Sequence, residues 1–154
     1  MKQVYLQYEN GPRAIATLAE HDAPKTVEAI WAALEKPATM DTLHAIYAGP
    51  EVMGALPESH QTFDPLAIPD ENQQVNFAPG DLIWYYQKPG QMGGLAFEMW
   101  EIGIFYGRGG RVFGPLGFLP VNIWATITEG LEDFAAESEK IRWDGMKRLE
   151  IGRL

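Results

Sequence analysis

The first part of the chain alternates between apolar and polar residues. Val4, Leu6 and Tyr8 would lie on one face of a strand, because successive side chains in a strand point to opposite faces. Residues 10–12 read Asn-Gly-Pro, which favours a turn, and residues 13–19 then form a second strand-like run. The chain is therefore predicted to open with a β-hairpin.

The spacing of apolar residues then changes to the period of a helix. Asp22 is suited to cap the helix N-terminus, Pro24 is tolerated in a first turn, and Pro37 ends the segment. Because helical periodicity gathers the apolar side chains on one stripe, Trp31 is assigned to the core rather than to a ligand platform. The stripe consists of Val27, Ile30, Trp31 and Leu34.

A second hairpin is predicted from residues 42–47 and 51–55, which flank a turn at 48–50. Residues 56–79 contain several prolines and no regular periodicity. They predict an irregular connection that exceeds the roughly 12 to 15 residues usual in compact domains. Such long connections are often lids over a site, or surface excursions.

Aromatic and β-branched residues dominate the next two segments, 81–86 and 100–106. They predict adjacent central strands, separated by turn-forming residues at 89–94. Residues 121–128 predict one more strand. The aromatic side chains on these strands would alternate between the core and a pocket or interface, with most of them in the core.

A second amphipathic helix is predicted from Leu131 to Asp144, ended by Gly145, and residues 148–154 would add a closing edge strand. Many short strands with one early and one late helix indicate a mainly β fold with two helices. We expect a closed antiparallel β-barrel plugged by helices, formed by one domain over residues 1–154.

Composition narrows the function classes. The 154 residues contain no cysteine, which excludes disulfides, thiolate catalysis and cysteine-ligated zinc. The formal net charge of -9 disfavours nucleic acid and anionic membrane surfaces as partners. The sequence has no signal-peptide pattern and no membrane-spanning run, so a soluble cytoplasmic protein is expected.

Several short motifs could indicate phosphate binding, metal binding or a catalytic triad, but their arrangement does not fit these sites. The glycines around Arg108 do not open into a helix, so a phosphate loop is not predicted. His21, His44 and His60 lack metal-ligand spacing, and Ser59 beside His60 is not a catalytic triad. No cofactor and no metal are therefore expected.

Two candidate chemistries depend on where side chains point. His44 lies in a predicted strand, sharing a face with Ile46, where it would be a general acid or base or a hydrogen-bonded structural residue. Glu98 and Glu101 cannot share a strand face, so a paired-carboxylate glycosidase site is not indicated. Arg108 would clamp a carboxylate or be an exposed solubilising charge.

Residues 20–28, EHDAPKTVE, resemble the cyclophilin segment that leads from a strand into the first helix. Five further sequence motifs, called blocks here, resemble those of a bacterial family of uncharacterised proteins with a cyclophilin-like fold. The resemblance covers nearly the whole chain and implies a cyclophilin-like barrel. The blocks are HAIYAGPEV at 44–52, PGDL at 79–82, FYG at 105–107, GPL at 114–116 and Asn122.

Two residues depart from that family's pattern. Ile46 stands where an Arg is expected, which would remove a cation from the pocket, and Val121 stands where a Gly usually precedes the Asn. The Phe-x-x-Arg strand and the Gln-Gly-Gly-Asp block of cyclophilin prolyl isomerases are not found at corresponding places. The isomerase site therefore does not transfer to this chain, and fold alone does not carry function.

These residues lead to a first hypothesis of a barrel whose pocket binds a small polar or carboxylate-bearing metabolite, with or without catalysis. His44 and Glu51 would supply acid-base chemistry, and the ligand-binding residues would be Tyr47, Tyr106, Arg108 and Asn122. The alternative is a non-enzymatic module that forms a homo-oligomer or binds a peptide, suggested by the 12% aromatic content. Prolyl isomerase activity is a third, disfavoured alternative.

Overall fold

The computed structural model describes residues 1–91 and 95–154, with two α-helices and eleven strands among them. The helices are α1 (Pro24–Ala33) and α2 (Leu131–Asp144). The strands are β1 (Gln3–Tyr8), β2 (Arg13–Leu18), β3 (Ala38–His44), β4 (Glu51–Ala55), β5 (Gln73–Gln74), β6 (Asp81–Gln87), β7 (Met99–Phe105), β8 (Val112–Gly114), β9 (Gly117–Leu119), β10 (Val121–Glu129) and β11 (Lys147–Arg153).

Eight of the strands close into an antiparallel barrel. Their order is β2-β1-β11-β3-β4-β7-β6-β10, and β10 pairs again with β2 to complete the ring. The short strand β5 extends β10 beyond the ring, and β8 pairs with β9 in a separate hairpin. The predicted mainly β architecture, with a closed antiparallel barrel and two helices, is confirmed.

Strand alternation fills the barrel with apolar side chains. Val4, Leu6 and Tyr8 of β1 are all buried, and the opening hairpin is confirmed by pairs such as Leu6 with Ala14. Phe134 of α2 stacks on Tyr8 with ring centroids 5.0 Å apart, and the Tyr8 hydroxyl lies 2.9 Å from Ser138 Oγ. Helix α2 thereby covers one part of the barrel, because its buried face is aromatic and aliphatic.

The last strand corrects one prediction. Residues 148–154 were expected to form an edge, but β11 lies inside the ring and pairs with β1 on one side and β3 on the other. Leu149 faces Met40, and Ile151 faces Leu6. Both edges of β11 are used, because the N-terminal strand occupies the side that an edge strand would expose.

Helix α1 is capped differently from the prediction. Its N-cap is Ala23, which makes no side-chain hydrogen bond, and Asp22 does not serve as the cap. Instead the Glu71 carboxylate accepts hydrogen bonds from the backbone N–H groups of Lys25 (3.1 Å) and Thr26 (2.9 Å). A carboxylate from the long connection thus satisfies the free N–H groups of the first turn.

The connection at 56–79 is irregular, as predicted, but it is held against the barrel. It contains two single-turn 3₁₀ helices, Glu58–His60 and Pro65–Ala67. Phe63 packs against Trp84 and Trp100, with ring centroids 5.3 and 5.0 Å apart. These aromatic contacts anchor the connection over one end of the barrel interior.

The small β8–β9 hairpin was not predicted from the sequence. Gly117 adopts a φ of 121°, which allows the tight turn. Residues 92–94 of the predicted turn at 89–94 lie outside the described residues. Among the described helices, neither has the length and apolar character needed to cross a membrane.

Replacing Glu71 tests the long-range cap. The Glu71→Ala variant should lose about 1 to 2 kcal/mol of unfolding free energy, because two backbone N–H groups and the Thr26 hydroxyl lose their shared acceptor. Urea unfolding followed by circular dichroism measures this change. The control is Glu35→Ala, which removes an exposed carboxylate beyond the other end of the helix. Equal stability of the two variants would contradict the cap.

Candidate functional site

A groove of about 270 Å³ lies on the outer face of the barrel, over strands β4, β6 and β7. Alternation on these strands sends Val52, Ile102 and Ile104 into the core and leaves the intervening residues facing the groove. Most of the lining is apolar, from Leu43, Met53, Leu95, Met99, Val112 and Phe113. The polar lining residues are His44, Tyr47, Glu51, Tyr85, Gln87 and Glu101.

A missing side chain positions Glu51. Gly103 lies opposite Met53 on the neighbouring strand, and a Cβ atom at Gly103 would collide with Glu51 Oε1 and the side chain of Ile83. The Glu51 carboxyl group therefore lies over the Gly103 backbone. Glu101 is two residues from Gly103 and points to the same face of β7. The glycine thus lets the two carboxyl groups come together at the floor of the groove.

Both carboxyl groups are removed from water, with exposures of 2% for Glu51 and 3% for Glu101. Glu101 Oε2 accepts a 2.7 Å hydrogen bond from Gln87 Nε2. Within the described part of the chain, no protein group bonds to the buried Glu51 Oε1. A buried polar atom without a protein partner is uncommon, and here it lies at the floor of a groove.

Burial also changes the acidity of the pair. Burial raises the pKa of Glu51 well above its ordinary value, and the nearby charge of Glu101 raises it further. Burial raises the pKa of Glu101 to about 7, although the hydrogen bond from Gln87 opposes this change. The pair therefore retains at least one proton near neutral pH, so it offers a hydrogen-bond donor beside an acceptor.

His44 forms the edge of the groove in a fixed protonation state. Its Nδ1 lies 2.8 Å from the Ala45 carbonyl oxygen, which can only accept, so Nδ1 carries the hydrogen. Nε2 then accepts from Arg142 Nε at 3.0 Å, and the Tyr106 hydroxyl lies 2.7 Å from the same nitrogen. Burial and the positive charge of Arg142 lower the pKa of His44. His44 is therefore neutral, with both ring nitrogens occupied.

The prediction that His44 and Ile46 share a strand face is wrong. Strand β3 ends at His44, because the chain turns at residues 45–50, where Gly49 has a φ of 85°. Ile46 and Tyr47 are instead exposed at the rim, at 85% and 79%. The hairpin itself is confirmed, since His44 pairs with Val52.

The predicted site residues divide into two groups. His44, Tyr47 and Glu51 line the groove, and Tyr106 contacts His44. Arg108 is exposed and does not line the groove. Asn122 is also outside it, buried beside α1, where it donates to Thr26 Oγ1 and the Pro69 carbonyl and accepts from the Glu71 N–H. These contacts anchor the long connection. Asn122 also lines a separate cavity of about 320 Å³, and its ligand-binding role stays a prediction.

Glu101 and Gln87 were not identified from the sequence. Glu98 and Glu101 do point differently, and the Glu98 carboxylate accepts instead from the Tyr86 hydroxyl at 2.5 Å. The carboxyl partner of Glu101 lies on the adjacent strand β4, which sequence separation does not show. One sequence feature could have identified Glu101. It is a glutamate within the apolar run at 99–105 and is followed two residues later by a glycine, and this pattern is unusual in a buried strand.

The donor set at this site does not resemble a metal centre. Across residues 1–91 and 95–154, no three side chains of His, Asp or Glu come together in a group that would hold an ion. The two glutamates are held by Gln87 and by the apolar walls of the groove. The chemistry available is therefore hydrogen bonding, ion pairing and proton transfer by two carboxyl groups.

Comparisons with known proteins agree with this fold. The family described as "Protein of unknown function (DUF3830)" matches residues 8–152. The chain is similar to the structure of McbB in complex with tryptophan (TM-score 0.67, 14% identity, 97% of this chain), of which it spans 44%. A search among curated proteins found no match by sequence.

Two further structures are similar over most of both chains. One is the hypothetical protein AF2241 from Archaeoglobus fulgidus (TM-score 0.56, 17% identity), with 99% of this chain and 95% of that chain covered. The other is the mimivirus cyclophilin (TM-score 0.56, 12% identity), with 98% and 86% covered. At these identities the likeness shows the cyclophilin-like fold, which confirms the expectation from the sequence blocks.

The carboxyl pair predicts how stability depends on pH. Because both pKa values are higher in the folded state, the folded protein binds more protons above the ordinary value of 4.5, and stability falls as the pH rises. Between about pH 5 and pH 7.5 wild type should lose roughly 3 kcal/mol more than the Glu51→Gln/Glu101→Gln variant.

Urea unfolding at a series of pH values measures this difference. The control variant is Glu9→Gln, which changes an exposed carboxylate far from the groove and should follow wild type. Parallel pH profiles for wild type and the double variant would show that these carboxyl groups titrate normally.

Proposed function

Because the chain belongs to the DUF3830 family, whose description assigns no function, we propose a function from the groove: it binds a small molecule with an apolar body and one polar group. The observation that carries this proposal is the buried Glu51 Oε1, which has no partner in the described protein and lies at the floor of an apolar groove. The polar group of the ligand would bond to this carboxyl group.

The character of the groove supports this proposal. Small-molecule sites are concave and mostly apolar, with a few polar groups that fix orientation. The volume of about 270 Å³ suits a small ligand. Met53 and Met99 lie on its walls, and methionine side chains adapt to ligands of different shape. The similar structure of McbB is described in complex with tryptophan, which gives modest support for a small ligand here.

The geometry does not favour a carboxylate-bearing ligand. Arg108, which was expected to pair with an anionic group, is exposed outside the groove. The floor carries two acidic side chains, which repel an anion in a site of low dielectric. We therefore propose a ligand whose polar group is neutral or cationic.

If the ligand reacts, we propose that Glu51 and Glu101, rather than His44, carry out the acid-base work. One carboxyl group would donate a proton and the other would accept one. The Nε2 atom of His44 is already engaged by Tyr106 and Arg142, so His44 serves as a positioning residue. Prolyl isomerase activity has no support, because no arginine is among the described residues that line the groove.

A second candidate function is self-association, which one further observation favours. Apolar side chains are exposed next to the groove, at Ile46, Tyr47, Trp143 and Met146. Leu43 borders both the groove and the neighbouring depression beside Trp143, so the exposed residues form one face. Such patches often mark interfaces. A terminal edge strand cannot hold a peptide here, since β11 is paired on both sides.

Methionine methyl groups provide the test of small-molecule binding. In protein labelled with ¹³C at its six methionine methyl groups, 3-phenylpropionamide should shift the Met53 and Met99 signals. The signal of Met40, which lies buried inside the barrel, should not move. The Met53→Trp variant fills the groove and should abolish the Met99 shift.

The matched control is Leu116→Trp, which adds the same side chain at a fully exposed position of the β8–β9 turn. It should bind the amide like wild type. The proposed groove would be rejected if the amide shifted Met40 or Met146 while Met53 and Met99 stayed unchanged.

Light scattering tests the second candidate. If the exposed face forms a dimer, Ile46→Ser/Trp143→Ser should weaken dimerisation by about tenfold or more, because two exposed apolar side chains would leave the interface. Leu116→Ser removes an equally exposed apolar side chain elsewhere and should leave dimerisation unchanged. A wild-type protein that stays monomeric at its highest attainable concentration would rule this function out.

A further inference from the structure

We infer that the groove selects amphipathic amines, and that the protonated amino group of the ligand binds between Glu51 and Glu101. This inference rests on the proposed function, since it names the class of molecule that the groove would take. Three features support it: the charges around the two carboxyl groups, the hydrogen bonds that these groups do not make, and the shape of the groove floor.

The surroundings of the pair contain no competing positive charge among the groove-lining residues that the structure describes. Besides the two glutamates, the polar groups that face the groove are His44, Tyr47, Tyr85 and Gln87. His44 is held neutral by the donors on its Nε2 atom, and Tyr85 accepts from Gln91 Nε2 at 3.4 Å. The site is therefore acidic, and it lacks a protein counter-charge.

Three basic residues that bond to or adjoin groove residues are engaged or directed elsewhere. Arg142 donates to His44 from the neighbouring depression. Arg111 donates to Asn76 Oδ1 at 3.0 Å and stacks on the Phe118 ring at 4.8 Å. Lys88 follows Gln87 but lines the other cavity, next to Asn122. A cation that neutralises the carboxyl pair must therefore come from outside these side chains.

An ammonium group matches the unsatisfied atoms. Gln87 bonds to one oxygen of Glu101, while Glu51 Oε1 has no protein partner. An ammonium group has three donors, so it can bond to both carboxyl groups at once. The missing side chain at Gly103 leaves room for the Glu51 carboxyl group on the face of β7 that also carries Glu101. A neutral amide has fewer donors and brings no charge to the pair.

Binding of an amine should also change the protonation of the pair. Burial raises the pKa of Glu101 to about 7 and the pKa of Glu51 well above its ordinary value, so the pair retains protons near neutral pH when no cation is bound. A cation favours the ionised carboxylates. Binding of the ammonium group should therefore release protons, and its affinity should rise as the pH rises from about 6 to about 8.

Three probes with the same apolar body test the selectivity: 2-phenylethylamine, 3-phenylpropionamide and 3-phenylpropionate. Titrations followed at the Met53 and Met99 methyl signals should show the amine binding about tenfold or more tightly than the amide, since charged hydrogen bonds are stronger. The carboxylate should bind most weakly. Calorimetry in phosphate and in Tris, which differ in ionisation enthalpy, should show proton release with the amine and none with the amide.

Variants show whether the preference for the amine depends on the charge of the carboxyl pair or on the shape of the groove. A single Glu→Gln change leaves the other carboxylate free to ionise, so the decisive variant is Glu51→Gln/Glu101→Gln. It should lose the preference for the amine and the proton release, while it binds the amide within a few-fold of wild type. Glu9→Gln, on an exposed surface, should behave like wild type.

The possible results separate a failure of amine selectivity from a failure of small-molecule binding. If the amide binds the wild-type groove as tightly as the amine, or if the double variant keeps the amine preference, the inference is wrong and the groove remains a small-molecule site. If none of the three probes shifts Met53 or Met99, the proposed function and the inference both fail. The comparison of the three probes on wild type decides the inference even if the double variant does not fold.

Discussion

The hydrogen bonds between β2 and β10 are the constraint on which the rest of the structure depends. They join the two ends of a sheet whose other neighbours are already paired, and they convert that sheet into a ring. Closure gives every barrel strand a partner on both sides and encloses an apolar core. The barrel interior is filled by side chains, and the groove over β4, β6 and β7 lies on the outer face.

On that outer face, the strand alternation that builds the core directs polar as well as apolar side chains into the groove. Strands β4, β6 and β7 carry polar residues among apolar ones, and the β8–β9 hairpin and the turn after His44 cover them. Two glutamates are thereby buried without a basic partner in the described groove. Burying such groups opposes folding. Two buried carboxyl groups in a groove where apolar residues would be more stable are the physical basis for proposing a site there.

The long connection at 56–79 shows how a segment with little regular structure is kept in place. Glu71 caps α1, and Asn122 of β10 bonds to the connection and to Thr26 of the helix. One carboxylate and one amide thus tie three parts of the chain together. The hydrogen bonds of Asn122 thus satisfy a buried amide and hold the connection against the barrel.

The sequence by itself determined the local elements and, through its family-like blocks, the cyclophilin-like barrel. Alternation and helical periodicity are local properties, so the opening hairpin, both helices and the central strands could be read from short windows. Glu51 could be named as a candidate, because it lies in one of those blocks. Three features were decided by the tertiary structure: the partner of Glu101 on β4, the interior place of β11 and the cap from Glu71. Each depends on which distant segments become neighbours, and closure of the barrel sets those neighbours in ways that no local pattern records.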